Sequence, residues 1–150
     1  MLAGLGGDDR LFGNAGNDTI TGGGANDTIG GGADADVMTG GAGADSFQYN
    51  SALDAAVGAM LDRISDFQQG SDLILLSQID ANLPNGFFTN EAFAFVGAAG
   101  FSGTAGELRF VQDLALTRTL IEGDQNGDGS ADFRIALDGL HTLTALDFAL

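Results

Sequence analysis

The chain has 150 residues, which suffices for one ordinary domain or for two small modules. Its 21 Asp and Glu residues face five arginines and no lysine, and the formal net charge is −16. This charge disfavours nucleic acid or an anionic membrane as the partner and suits a bound cation. Without cysteine, disulfides and thiolate metal sites are excluded. No apolar run approaches the roughly 18 residues of a membrane span.

From residue 4 onward the sequence divides without a gap into five nonapeptides, each with glycine first, aspartate sixth and a large apolar residue eighth. The nonapeptides are GLGGDDRLF, GNAGNDTIT, GGGANDTIG, GGADADVMT and GGAGADSFQ; the first-position glycines are Gly4, Gly13, Gly22, Gly31 and Gly40, and the aspartates are Asp9, Asp18, Asp27, Asp36 and Asp45. This strict period predicts stacked structural repeats. A disordered glycine-rich linker would not keep the eighth position apolar. Residues 1–4 lack the regions of a signal peptide, so we expect Met1 to be a cut point rather than the start of a complete protein.

Each nonapeptide is expected to form a glycine-rich turn and a very short strand, because glycine reaches positive φ without steric cost. One nonapeptide cannot bury its apolar side chain alone, but stacked repeats build a continuous apolar ladder. If two nonapeptides form one coil, Asp9, Asp27 and Asp45 line one edge of the stack. Asp18 and Asp36 then line the opposite edge.

The stacking brings carboxylates about 4.8 Å apart, the spacing of neighbouring strands. Two such charges repel by on the order of 3 kcal/mol at an effective dielectric of ~20. A cation with six to eight oxygen ligands reverses this repulsion; Ca²⁺ fits, whereas Mg²⁺ demands a tighter octahedron. We expect about three to five Ca²⁺ ions, each held by aspartates of two coils and by backbone carbonyls. The carbonyl donors are assigned to Gly4, Gly13, Gly16, Gly22, Gly23, Gly31, Gly32, Gly40, Gly41 and Gly43. The alternative is that the aspartates are solvated turn residues.

Beyond residue 48 the nine-residue count places Asp54 at position six, stacked over Asp36, and Asp62 follows shortly. Both are candidate ligands that close the last metal site; the alternative is surface charge. From about residue 50 ordinary apolar patterning predicts strands at 73–76, 107–111, 117–122, 132–137 and 143–150. We therefore predict an all-β chain with a parallel β-roll at 1–57 and a small antiparallel β-sandwich at 58–150 that caps it.

The turn between two of these strands, Asp124-Gln125-Asn126-Gly127-Asp128-Gly129, carries oxygen ligands at the spacing of an EF-hand loop. Position nine is Asp132, but position twelve is Ile135 instead of glutamate. A second, weak calcium site at Asp124, Asn126, Asp128 and Asp132 is one interpretation. A tight hairpin turn that favours Asn, Asp and Gly is the other.

Residues 4–48 resemble the calcium-binding RTX repeat, GGxGxDxUx. The stretches DRISDFQQGSDLILLSQID, AGELRF, GDQNGDGSADFRIALDG and LTALDFAL resemble the C-terminal region of serralysin-type secreted metalloproteases. The resemblance implies a right-handed β-roll, and acidic residues near Asp54 and Asp62 that close the last site. It also implies type I (ABC-transporter) secretion through an uncleaved C-terminus at 147–150. Leu5, Asn14, Ala25 and Asp34 depart from the glycine pattern, which puts local turn geometry in question.

Catalysis is not expected, since the single histidine, His141, cannot build an H-E-x-x-H zinc site and no G-x-S-x-G elbow is present. The first functional hypothesis is a secreted, extracellular and monomeric module that folds on calcium and stabilises a covalently linked N-terminal effector. The alternatives are a carbohydrate-binding module, like those of alginate epimerases, and a domain of an adhesin or surface-layer protein that would self-associate.

Overall fold

A computed structural model describes residues 1–55, 57–58, 61–85 and 90–150. The strands are β1 (Leu2–Ala3), β2 (Arg10–Ala15), β3 (Thr19–Gly24), β4 (Thr28–Ala33), β5 (Val37–Ala42), β6 (Ser46–Gln48), β7 (Asp62–Ile64), β8 (Leu73–Leu75), β9 (Ala94–Gly97), β10 (Glu107–Asp113), β11 (Arg118–Asp124), β12 (Phe133–Asp138) and β13 (Phe148–Ala149). Short 3-10 helices span Ala52–Ala55, Leu83–Asn85 and Ala145–Asp147. No helix within the described residues is long and apolar enough to cross a membrane.

Consecutive repeats contribute their strands alternately to two sheets. One sheet has eight strands in the order β1-β3-β5-β7-β12-β11-β10-β9, and the other has five in the order β13-β8-β6-β4-β2. Within the repeats all pairs are parallel, and partners such as Ile20 and Met38, or Ile29 and Phe47, lie two nonapeptides apart. The predicted coil of two nonapeptides and the all-β class are therefore confirmed, while the handedness of the coil stays a prediction.

The eighth-position side chains form the core between the two sheets. Ile20, Ile29, Met38 and Phe47 are completely buried, whereas Leu11 of the first coil is only partly covered. Full burial of a side chain of this size stabilises the folded state by roughly 1.5–3 kcal/mol. Each repeat obtains this stabilisation only from its neighbours, as expected of a stacked architecture.

The coil stack continues past residue 57. Strand β7 pairs with β5 and places Ile64 beside Met38, and β8 pairs with β6 and places Ile74 beside Phe47. Hydrogen-bonded aspartates of successive coils are 18 residues apart in the repeats, but here they are 26 residues apart on one edge and 27 on the other. Both sheets thus cross the predicted division between 1–57 and 58–150, and that division stays a prediction.

The antiparallel strands extend the eight-stranded sheet. Strand β12 pairs in parallel with β7 and antiparallel with β11, and β11 pairs antiparallel with β10. In this hairpin, Phe133, Ile135 and Leu137 face the core and are completely buried. The predicted last strand is shorter than expected, because Thr144 caps a 3-10 helix and only β13 remains extended.

The turns keep one backbone geometry in every repeat. Positions two and four have positive φ throughout, even where the pattern lacks glycine. The four exceptions are Leu5 (φ 78°), Asn14 (75°), Ala25 (77°) and Asp34 (79°). The stacking of coils therefore imposes the left-handed conformation, which costs non-glycine residues roughly 1–2 kcal/mol each.

Candidate metal centre

The sixth-position aspartates of one edge form a continuous ladder of hydrogen bonds. The backbone N–H of Asp9 donates to Oδ1 of Asp27 at 2.9 Å, and that of Asp27 donates to Oδ1 of Asp45 at 2.8 Å. The backbone N–H of Asp45 donates in turn to Oδ1 of Asp72 at 3.0 Å. One carboxylate oxygen of each receiving aspartate is thereby fixed by the preceding coil.

The opposite edge repeats this arrangement with one member fewer. The N–H of Asp18 donates to Oδ1 of Asp36 at 2.7 Å, and the N–H of Asp36 donates to Oδ1 of Asp62 at 2.9 Å. The ladders confirm that the aspartates of alternate nonapeptides lie above one another, as the period predicts.

The second carboxylate oxygen of five of these aspartates has no hydrogen-bond partner. Oδ2 is buried and unpartnered in Asp9, Asp27, Asp36, Asp45 and Asp62. A buried carboxylate oxygen without a partner is costly, because it has lost its water and gained nothing in return. Its repetition at one position of the repeat is the pattern expected of sites that bind a common cation.

Backbone carbonyls converge on the same places. A Cβ atom added to Gly4 would lie 2.5 Å from Oδ2 of Asp9 and 2.6 Å from the carbonyl oxygen of Gly22. On the opposite edge, a Cβ on Gly13 would lie 2.6 Å from Oδ2 of Asp18 and 2.5 Å from the carbonyl oxygen of Gly31. Gly4, Gly13 and Gly22 therefore each leave a cradle lined by a carboxylate oxygen and a carbonyl oxygen of the next coil.

This donor set fits a hard divalent cation. All its atoms are oxygens, the ligands that Ca²⁺ prefers, and both carboxylates and backbone carbonyls are ligands of the kind Ca²⁺ takes. Within the described residues, no group of three or more His, Cys, Asp or Glu side chains is arranged to hold a metal. An ion bound here would therefore need oxygen donors besides the side chains, and the carbonyls of the cradles are such donors.

The electrostatics of the ladders point the same way. Burial, together with the nearby charges of Asp36 and Asp54, raises the pKa of Asp62 to about 7. Burial also raises the pKa of Asp36, Asp45 and Asp72. In each case a neighbouring carboxylate adds to the effect, which is the mutual repulsion that a bound cation would reverse.

Asp54 does not stack over Asp36, and this expectation of the nine-residue count is wrong. Asp62 takes that place, because the chain leaves the repeat after Phe47 and forms the 3-10 helix Ala52–Ala55. Oδ2 of Asp54 instead accepts the N–H groups of Asn50 at 3.0 Å and Ser51 at 3.1 Å. Its role as a ligand stays a prediction, although its charge acts on both Asp36 and Asp62.

Sequence reasoning missed two aspartates of the last coil. Asp72 closes the first ladder and is buried, and Asp66 accepts the N–H groups of Gly40 and Gly41, each at 2.8 Å. The signal for Asp72 was present, since Asp72 precedes the buried Ile74 by two residues, as every sixth-position aspartate precedes its apolar residue. No comparable spacing marks Asp66.

Two of the predicted glycine donors are engaged otherwise. The carbonyl of Gly41 accepts a hydrogen bond from Nε2 of Gln68 at 2.9 Å, and that of Gly43 accepts one from Oγ of Ser71 at 3.0 Å. The carbonyls of Gly22, Gly31 and Gly40 line cradles. The assignments of Gly4, Gly13, Gly16, Gly23 and Gly32 as carbonyl donors stay predictions.

The loop between β11 and β12 satisfies its own acidic groups. Both oxygens of the buried Asp124 accept backbone N–H groups, from Gly127 at 2.7 Å and Gly129 at 2.9 Å. Oδ2 of Asp132 accepts the N–H of Gln125 at 2.7 Å, and Asn126 and Asp128 are exposed and bond within the loop. This is the geometry of a tight hairpin turn, and the weak calcium site at Asp124, Asn126, Asp128 and Asp132 stays a prediction.

Comparison with known proteins identifies relatives of the whole chain. Residues 7–150 match the family described as Peptidase M10 serralysin C terminal. No curated protein sequence matches. Among solved structures, the AlgE6R2 subunit of the Azotobacter vinelandii mannuronan C5-epimerase is 27% identical with a TM-score of 0.60, and the match covers 97% of this chain and 91% of that one. The AlgE6R3 subunit of the same enzyme shares the fold at 22% identity and a TM-score of 0.54, over 95% of this chain and 78% of that one.

Proposed function

Because this chain belongs to the family of serralysin C-terminal domains, we propose that it is a non-catalytic calcium-binding module that folds when calcium fills its two aspartate ladders. One observation carries this proposal: the repeated, buried and unpartnered Oδ2 atoms that share their cradles with backbone carbonyls. The first ladder has three intervals between aspartates and the second has two. The expected three to five ions, about one per interval, would occupy them.

Calcium would act as a switch between two environments. Where calcium is scarce, the stacked carboxylates repel and the apolar ladder cannot form, so the chain stays unfolded and can be exported. Outside the cell, sites with dissociation constants of about 10⁻⁴–10⁻³ M would load. Loading at ~100 times the dissociation constant stabilises the fold by about 2.7 kcal/mol per independent site.

Export is proposed to proceed through the type I machinery, which would read the C-terminus at residues 147–150. In the folded state Asp147 is buried and its carboxylate accepts the N–H of Thr144, so its side chain is available for recognition only before folding. Folding would then begin at the last coil, which the antiparallel strands stabilise. It would proceed toward an N-terminal effector, which we expect to be a secreted hydrolase.

A carbohydrate-binding module is a second candidate, favoured by the similarity to subunits of a mannuronan epimerase. The strand register also places four of the five arginines on the outward side of the eight-stranded sheet: Arg63, Arg109, Arg118 and Arg134. Each is already paired with a carboxylate, Arg63 with Asp138 for example. Binding to mannuronan and to a glycan array, each with and without calcium, would distinguish this candidate from the first.

The primary test is circular dichroism of the chain in chelator, titrated with calcium and, as a control, with magnesium. We expect a disordered spectrum that converts to a β-rich one with calcium only. Light scattering should then show a monomer, whereas an adhesin or surface-layer domain would self-associate. A chain that is already β-rich in chelator would refute the folding switch.

A further inference from the structure

Tyr49 stands where every complete repeat has a glycine. It is the first residue of a sixth nonapeptide, residues 49–57, and follows Gly31 by two repeats. At Gly31 a side chain is impossible, since its Cβ would lie 2.1 Å from Oδ2 of Asp36. At Tyr49 the corresponding carboxylate, Asp54, has turned away to bond the N–H groups of residues 50 and 51. The space that a glycine keeps open elsewhere is thus available to the phenol.

The Tyr49 side chain is directed into the end of the second ladder. The residue is 1% exposed, and its hydroxyl is buried without a hydrogen bond of standard geometry. Oδ2 of Asp62 and Oδ2 of Asp36 are equally buried and unpartnered. The strand register pairs Phe47 with Ile29, so Tyr49 lies beside Gly31, whose first-position space borders Oδ2 of Asp36. Asp36 in turn donates its backbone N–H to Oδ1 of Asp62, and the nearby phenol lowers the pKa of Asp62. The buried hydroxyl and the two buried, unpartnered carboxylate oxygens therefore belong to the same interval of the ladder, between Asp36 and Asp62.

We propose that Tyr49 is the positioning residue of the ion bound between Asp36 and Asp62, and that its hydroxyl holds the Asp62 carboxylate in the orientation that binds the ion. This inference rests on the proposed calcium sites. A phenol donates one hydrogen bond and leaves the charge of the carboxylate available to a cation. A residue that hydrogen-bonds a metal ligand in this way fixes the orientation of that ligand before the metal binds. It thereby reduces the entropic cost of ordering the ligand. The first-position glycines of the other repeats cannot supply such a donor.

Terbium luminescence tests the placement. The chain has one tyrosine and no tryptophan, so emission from Tb³⁺ excited at the long-wavelength edge of the tyrosine band comes from an ion close to Tyr49. We expect strong sensitised emission when Tb³⁺ replaces calcium. Asp62→Asn should lower this emission several-fold, whereas Asp8→Asn, at an exposed position outside both ladders, should leave it nearly unchanged. Terbium that binds and folds the chain without sensitised emission would overturn the placement.

Calorimetric calcium titration tests the positioning role. Tyr49→Phe keeps the ring and removes only the hydroxyl, so we expect one site to weaken by about tenfold, a typical loss for an outer-shell partner, while the remaining sites keep their affinity. Circular dichroism in excess calcium would establish that the variant folds. Unchanged affinity at every site would contradict the inference while leaving the calcium module intact. Absence of any calcium or terbium binding would instead refute the proposed function itself.

Discussion

At the scale of the residue, the first-position glycines serve the metal sites more than the turns. Their φ angles are ordinary, in contrast to those of positions two and four. What each of them lacks is a Cβ, and at Gly4, Gly13 and Gly22 the volume that a Cβ would fill lies between a carboxylate oxygen and a carbonyl oxygen. Replacement by alanine should therefore act through ion binding as well as through packing.

Gly22→Ala is expected to eliminate one site of the first ladder. Its Cβ would lie 2.3 Å from Oδ2 of Asp27 and 2.6 Å from the carbonyl oxygen of Gly40, so the cradle would be filled or forced apart. Overpacking of this kind costs typically 1–3 kcal/mol, to which the lost ion adds. Calorimetry should show fewer bound calcium ions and a higher calcium midpoint for folding.

Gly24→Ala is the matched control in the same repeat. Nothing lies within 4 Å of a Cβ at this position, and its φ is not positive. We expect its calcium stoichiometry to equal that of the unmodified chain. Equal effects of the two substitutions would show that the first-position glycine has no special relation to the ion.

At the scale of the element, the last coil completes the ladders although it is no longer a nonapeptide repeat. Asp72 lies immediately before β8 and receives the N–H of Asp45 on Oδ1 and that of Gln68 on Oδ2, at 3.0 and 2.8 Å. Its carboxylate is buried and faces the same edge as Asp45. The last coil thus adds a carboxylate to the end of the first ladder, where the nonapeptide repeats have no further aspartate.

Asp72→Asn should remove the charge and preserve an amide oxygen that can accept the N–H of Asp45. We expect the ion next to Asp45 to bind at least tenfold more weakly, because its affinity depends on the charge of its ligands. One calcium ion fewer should therefore be bound. A calcium titration of the variant tests this expectation. Asp8→Asn is the control, because Asp8 is exposed and lies outside the ladder. If Asp72→Asn bound as many calcium ions as the unmodified chain, Asp72 would not be part of the site.

The nine-residue period alone predicts strands β2 to β6, their parallel register and five ladder aspartates, because every repeat obeys one local rule. The prediction fails for Asp54 since the chain inserts a 3-10 helix after Phe47, and a period carries no information on the length of an insertion. The parallel pairing of β7 with β12, which brings Asp62 beside Ile135, is equally beyond sequence patterns. It joins residues more than 70 positions apart, and no local signal specifies such a partner.

At the scale of the whole molecule, charge opposes folding wherever no cation is bound. The formal net charge is −16, and the ladders place part of that charge inside the fold. Burial raises the pKa of Asp62 to about 7 and that of Asp36, Asp45 and Asp72 above the ordinary 3.8. Protons and calcium should therefore be alternative means of neutralising the same groups.

The sign of the pH effect follows from these raised pKa values. A carboxyl whose pKa is higher in the folded state binds its proton more tightly there than in the unfolded chain. Its contribution to stability is complete below the unfolded pKa near 4. It is lost as the pH rises through the folded value of about 7 for Asp62. Metal-free chain should thus be more folded at the acid end of this window than at the neutral end.

Circular dichroism in chelator across this window measures the effect, and we expect β content to fall as the pH rises from about 4 to about 8. With calcium present the trend should reverse, because the ion displaces the protons and binds more tightly as they leave. Asp62→Asn removes the group with the highest of these pKa values and should flatten the upper part of the metal-free curve. A metal-free chain that gains β structure as the pH rises would contradict the assignment, because the buried ladder carboxylates would then have to be stable as unneutralised anions.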